Sequence, residues 1–87
     1  MLILNRPQRA GPYPDRDIGC QEALEPAFFD LAKGLTPDNI ARAAGGNLAP
    51  ALAGLAKRAE SAGWTLEEAE VAISELSQNL LDEMSSM

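Results

Sequence analysis

The chain has 87 residues, a formal net charge of −6 and 46% apolar side chains, which is typical of one small domain with a modest core. It has no histidine and one cysteine, Cys20, so an intramolecular disulfide, a Cys/His metal site and most nucleophile–base pairs are excluded. We therefore predict a chain that is not an enzyme and uses no metal and no cofactor, and its acidity disfavours direct DNA or RNA binding.

Residues 1–17 are predicted to form a flexible, disordered tail. Prolines and a glycine at positions 7, 11, 12 and 14 interrupt any helical register, although Met1 to Leu4 can dock as a short apolar segment. Residues 1–16 carry a surplus of two positive charges, whereas residues 17–87 hold four basic and twelve acidic side chains. Because no run approaches the roughly 20 apolar residues of a membrane span or resembles a secretory signal, we expect a cytoplasmic protein.

The helical domain is predicted over residues 18–84, and its first helix runs from about residue 17 or 18 to residue 33. Apolar residues at helical spacing form its buried face: Cys20, Leu24, Ala27, Phe28 and Leu31. Pro26 lies inside this pattern, where it removes a donor and crowds the carbonyl of Glu22. The pattern leaves open whether Pro26 kinks the helix or breaks it into two.

The second and third helices are predicted over about residues 37–44 and 48–62. Thr36 caps the second helix, and Pro37 takes the first-turn position that tolerates proline. Asn47 is the predicted cap of the third helix, which has a stripe of small apolar residues suited to close packing. Gly54 in that helix is expected to mark a tight helix contact.

The junction before the fourth helix contains the only tryptophan. Gly63 can end the third helix with a positive φ, and Trp64 can then fold back onto that helix. Thr65 and Glu68 have the spacing of a capping box that begins a fourth helix over about residues 66–82. We predict structural roles for these four residues, with Trp64 packing the fourth helix onto the third.

A similar order of residues precedes the second helix. Gly34-Leu35-Thr36 repeats the glycine, apolar residue and threonine of positions 63–65. Shared helix-ending and helix-starting chemistry explains this likeness better than a duplication does. Since no segment alternates convincingly, we predict an all-α fold, a small bundle of three to four helices.

Exposed apolar residues among charges are the most informative functional signal. Val71 points out of the fourth helix among Glu67, Glu75 and Gln78, and Phe29 points away from the buried stripe of the first helix. An exposed apolar residue ringed by charge can mark a protein contact. These five residues are the predicted partner-binding site, and the alternative is that Phe29 packs on the second helix or the tail and that Val71 is incidental.

Two other functions stay open. The second and third helices have the outline of a helix-turn-helix DNA-binding protein, but the third begins with apolar residues instead of base-reading side chains. The alanine-rich stripe of the third helix suits a structural protein that self-associates. For the leading hypothesis, a protein-interaction module, we expect a monomer or weak dimer.

Two blocks of the sequence resemble a group of short, acidic, helical alphaproteobacterial proteins. Residues 20–28 read CQEALEPAF and residues 59–73 read AESAGWTLEEAEVAI. That group carries a Cys-x-x-Ala-Leu-Glu-Pro-Ala-Phe block and an Ala-Gly-Trp-Ser/Thr-x-x-Glu block. In size, acidity and helical character the chain also resembles the QseM-type quorum-sensing antiactivators of rhizobial integrative and conjugative elements. In the shorter relatives the two blocks lie close together, whereas residues 34–54 separate them here.

The resemblance implies a non-enzymatic inhibitor that acts by protein–protein contact. Such antiactivators sequester a LuxR-type quorum-sensing regulator and a helix-turn-helix excision activator, which silences transfer of the element. The expected partner is therefore a transcriptional activator, without direct contact to nucleic acid or membrane. The resemblance carries over no binding motif, so the predicted site depends only on helical-wheel positions.

Overall fold

A computed structural model describes the backbone of residues 16–85 and the side chains of residues 18–84. Within these residues the chain forms four helices and no strand: α1 (Arg16–Ala32), α2 (Pro37–Ala44), α3 (Pro50–Ala62) and α4 (Leu66–Ser85). The predicted all-α bundle is confirmed. The predicted tail lies outside the described residues, apart from Arg16 and Asp17, which already belong to α1.

The longest helix, α4, is the centre of the bundle. It contacts each of the other three helices, and α1 also packs against α3. The largest fully buried side chains come from α1, α3 and α4: Phe28, Leu24, Leu52, Leu55, Ile73, Cys20 and Ser77. α2 packs mainly on α4, and α1 and α3 cover other parts of it, while the face of α4 that carries Val71 is exposed.

Two proline residues bear on the predicted helix bounds, Pro26 inside α1 and Pro50 at the beginning of α3. α1 continues through Pro26, so the alternative of two separate helices is wrong. Pro26 is exposed, which leaves water access to the carbonyl that its ring crowds. α3 begins at Pro50 and not at Leu48, because Ala49 before the proline is extended, with φ −63° and ψ 158°. Asn47 therefore does not cap α3, and Ala49, the residue at the cap position, makes no side-chain cap bond.

Gly54 does not mark a tight helix contact. It is exposed, and a Cβ atom built on it meets nothing within 4 Å. The buried face of α3 is formed by other residues: Leu52, Leu55, Ala56 and Ala59. The expected role of Gly54 in close packing is therefore wrong.

The junction between α3 and α4 is closed around Trp64. Gly63 adopts φ 114°, and its amide donates to the carbonyl of Glu60 at 3.1 Å, while the amide of Trp64 donates to that of Ala59 at 3.1 Å. This pair of bonds is a Schellman motif. The Trp64 side chain is 3% exposed and lies in the main core cluster. Both hydrogen bonds of the capping box are present, Thr65 N to Glu68 Oε1 at 2.9 Å and Glu68 N to Thr65 Oγ1 at 3.0 Å.

The junction between α1 and α2 has a different geometry. The amide of Gly34 donates to Leu31 O at 3.0 Å and that of Leu35 to Ala32 O at 3.1 Å, which makes two short turns in succession. Gly34 does not have a positive φ, and Leu35 is only half-buried. Thr36 Oγ1 accepts a single bond from the amide of Asn39 at 3.1 Å.

Two serines on α4 form side-chain hydrogen bonds to backbone carbonyls in or near the interior. Ser74 Oγ donates to Ala44 O at 2.7 Å and so joins α4 to the end of α2. Ser77 is fully buried and donates to Ile73 O at 2.7 Å within its own helix. Among the described residues, every buried side-chain nitrogen or oxygen has a hydrogen-bond partner, so none of them points to a buried ligand site.

Candidate functional site

Val71 lies at the centre of a shallow hollow on the outer face of α4. Its side chain is 55% exposed, the largest value among the big apolar residues of the described chain. The hollow has a volume of about 220 Å³ and is lined by Glu67, Glu68, Val71, Ala72 and Glu75, and we call it the acidic hollow. Three of the five predicted partner-binding residues therefore come together there.

The acidic hollow combines one apolar side chain with three carboxylates. Glu67 and Glu75 are exposed, one turn before and one turn after Val71, whereas Glu68 is oriented by its bond from Thr65. Glu67 and Glu68 also lie in the first turn of α4, where the helix dipole favours negative charge. Among the described residues no basic side chain lines the hollow, and the carboxylates of Glu67 and Glu75 are exposed there.

Gln78 lies beyond the hollow on the same side of α4. Seven residues correspond to about two helical turns, which places Gln78 about 20° from Val71 around the helix axis. Its side-chain nitrogen donates to Asp82 Oδ1 at 3.1 Å. A partner that covers both Val71 and Gln78 must therefore follow α4 for about 10 Å along its axis.

Phe29 is not the exposed residue that the helical wheel predicted. It is half-buried, and its ring meets that of Phe28 edge to face, with centroids 5.4 Å apart and an interplanar angle of 73°. The wheel considers α1 alone, whereas the short connection to α2 brings Pro37 and Ile40 alongside Phe29. Phe29 therefore packs partly against the core cluster and lines a groove together with residues of α2. Its role in binding a partner stays a prediction.

Phe29 belongs to an apolar groove on the other side of the bundle. The groove has a volume of about 370 Å³ and lies where the ends of α1 and α4 meet the first turn of α2. It is lined by Phe29, Ala32, Lys33, Leu35, Pro37, Ile40, Leu80 and Met84, and we call it the apolar groove. Leu80 follows Val71 by nine residues, or about 180° around α4, so the groove and the acidic hollow face opposite directions.

The sequence does not reveal the groove, because helical spacing puts Leu80 and Met84 on the same side of α4 as the buried Ile73. In the structure, however, Leu80 is half-buried and Met84 is 38% exposed. Ile18 was missed as well: it lies at the beginning of α1 and is 50% exposed.

A third concavity lies between α2 and α3, where a helix-turn-helix protein would bend. It has a volume of about 410 Å³ and is lined by Asn39, Arg42, Asn47, Leu48, Ala49 and Pro50. Among its described lining residues Arg42 is the basic one, and its guanidinium Nε lies 3.1 Å from Asp38 Oδ2 in an exposed ion pair. The first turn of α3 offers Pro50 and Ala51, whose side chains have no group that can hydrogen-bond to a base edge.

The described residues contain no group of three or more His, Cys, Asp or Glu side chains that could hold a metal ion. Their helices also include none with the length and hydropathy needed to cross a bilayer. Comparison with protein-family models, with curated proteins and with solved structures finds no match to this chain. The acidic hollow and the apolar groove are therefore the two surfaces from which a function can be argued.

Proposed function

We propose that the chain is a non-enzymatic antiactivator that binds a transcriptional activator through the acidic hollow and sequesters it. The observation that carries this proposal is Val71, an apolar side chain that is 55% exposed between the carboxylates of Glu67 and Glu75. The class of partner comes from the resemblance to QseM-type antiactivators in size, acidity and helical character. That partner is a LuxR-type quorum-sensing regulator, a helix-turn-helix excision activator, or both.

Charge gives a physical reason for such a partner to bind. Residues 18–84 hold eleven acidic and four basic side chains, a net charge of −7. A DNA-binding activator presents a basic surface to phosphate, and an acidic protein is steered toward the same surface. Binding there would exclude DNA by competition. Val71 would supply the apolar centre of the contact, and the surrounding carboxylates its polar rim.

The test is a pull-down and a promoter reporter with a LuxR-type activator of a rhizobial integrative and conjugative element. We expect the wild-type chain to retain the activator and lower reporter output. Val71→Asp should weaken retention at least tenfold, because it places a fourth carboxylate in the centre of the contact. Asn79→Asp is the matched control, since it adds the same charge to an exposed position of α4 outside the hollow.

Equal retention of Val71→Asp and wild type, at equal helical circular dichroism, would reject the acidic hollow as the binding site. Failure of the wild-type chain to bind or inhibit would reject the function itself. Because the contact is electrostatic, retention should also fall as salt rises from about 50 to 300 mM.

The two other hypotheses gain no specific support from the fold. The stripe of α3 proposed for self-association is used inside the molecule, where Leu52, Leu55 and Ala59 are at most 1% exposed. Sedimentation velocity at micromolar concentration would still detect a tight oligomer. For DNA binding, the test is a gel shift at low salt, and the acidic surface of the described residues predicts no shift.

A further inference from the structure

We propose that the chain's own first residues, Met1 to Leu4, dock in the apolar groove. The groove is the largest nearly all-apolar concavity described above, and Met84 at its edge is 38% exposed. Such a surface favours an occupant with several consecutive apolar side chains. The sequence Met1-Leu2-Ile3-Leu4 is an uninterrupted run of large aliphatic residues that lies outside the described helices.

The connecting segment is long enough. Eleven residues separate Leu4 from the beginning of α1 at Arg16, and three of them are proline. At the spacing of a proline-rich extended chain they span about 34 Å. The groove begins at Phe29, thirteen residues along α1, or about 20 Å from Arg16. The segment can therefore reach the groove by running back beside α1 without being fully stretched.

Charge favours the same arrangement. The segment that follows Leu4 carries Arg6 and Arg9, whereas residues 18–84 have a net charge of −7. Asp30 and Glu83, the sequence neighbours of groove residues Phe29 and Met84, are both exposed carboxylates. The basic segment that follows Met1 to Leu4 is thus attracted to the acidic residues 18–84, along which it must run to reach the groove.

Covalent connection makes the chain itself a better occupant than a second molecule. A linker of matching length gives an effective concentration on the order of 1 mM, so an intrinsic dissociation constant of about 1 mM is enough for substantial occupancy. A second copy or a foreign peptide of equal affinity would need to be present at that concentration. The proposal does not depend on the antiactivator function, because it concerns the opposite side of α4.

Methyl NMR of the full chain tests the docking directly. We expect nuclear Overhauser contacts between the Ile3 methyl groups and the Phe29 ring or the Met84 methyl group, unchanged on tenfold dilution. Ile3→Asp should remove these contacts and shift the amide signals of Leu35 and Met84 while leaving that of Val71 in place. Ile18→Asp is the matched control, since it replaces an exposed isoleucine outside the groove and should leave the groove signals unchanged.

A second variant tests the docking without changing the sequence of Met1 to Leu4. Met84→Asp changes an exposed groove residue, so the bundle should stay folded while the Ile3 methyl signals move to unstructured positions. Absence of Ile3 contacts in the wild type, together with groove signals unaffected by Ile3→Asp, would overturn the proposal. Contacts seen only between differently labelled molecules would also overturn it, because the occupant would then be a second copy.

Discussion

The two helix junctions share an order of residue types, but only the one between α3 and α4 is closed, by which we mean that its apolar residue is buried in the core. Gly63-Trp64-Thr65 places its glycine at φ 114° and buries its aromatic residue to 3% exposure. Gly34-Leu35-Thr36 has no positive φ and leaves its leucine half-buried. The apolar residue between the helix-ending glycine and the helix-capping threonine thus differs in environment: Trp64 is part of the core, whereas Leu35 lines the apolar groove.

The difference also separates structural residues from available surface. Trp64 lies in the core cluster, where its ring has no surface to offer a ligand. Leu35 contributes to the apolar groove together with Pro37 and Phe29. The junction that contains the only tryptophan of the sequence is therefore structural, whereas the Gly34-Leu35-Thr36 junction contributes to an accessible apolar surface.

Among the variants that compare the two junctions, Trp64→Ala is expected to lower the free energy of unfolding the most. Removing a buried tryptophan side chain costs about 3–5 kcal/mol, and a domain of this size has only about 5–10 kcal/mol of stability. Leu35→Ala should cost about 1–2 kcal/mol, because that side chain is only partly buried. Urea unfolding followed by circular dichroism measures both free energies. Equal losses would show that the two junctions contribute alike to the core.

The glycines provide the second test. Gly63→Ala should lower the free energy of unfolding by about 1–2 kcal/mol, because an L-residue is strained in the left-handed region. Gly34→Ala should leave stability unchanged or raise it by up to about 1 kcal/mol, since its φ is not left-handed and the new Cβ meets Leu31 O at an ordinary 3.7 Å. The same unfolding curves check the pair. A loss at Gly34 as large as that at Gly63 would contradict the difference in geometry.

The sequence predicts most of the fold because local chemistry determines the helices. Capping threonines, the proline at position 37 and the glycine at position 63 each act on neighbouring residues, and the helices begin or end where they indicate. The errors occur where a local rule competes with another. Asn47 is a good cap by type, but Pro50 moves the beginning of α3 three residues away from it.

The candidate site was predictable only in part, since exposure depends on several helices at once. Val71, Glu67 and Glu75 lie on one helix, and a helical wheel of α4 was enough to bring them together. Phe29 required knowledge of where α2 packs, which no pattern within α1 contains. The apolar groove combines residues of α1, α2 and α4, so its existence follows from tertiary packing alone.

The caps give the smallest expected effect and the sharpest comparison. Thr65→Ala removes one bond of a reciprocal pair and leaves Glu68 bonded to the amide of residue 65, for a loss of about 1 kcal/mol. Thr36→Ala removes a single exposed bond at the beginning of an eight-residue helix, for about 0.5–1 kcal/mol.

The two losses are similar in size, so the discriminating measurement is where unfolding begins. Amide hydrogen exchange should show that Thr36→Ala opens α2 locally, because α2 is short, and α4 holds it partly through the bond of Ser74 to Ala44. Thr65→Ala should instead speed exchange along the core helices, since the junction that it weakens also positions Trp64. Glu68→Gln is the control, because glutamine can still accept the bond from the amide of Thr65. If Thr36→Ala also increased exchange throughout α4, the open junction would be coupled to the core as tightly as the closed one.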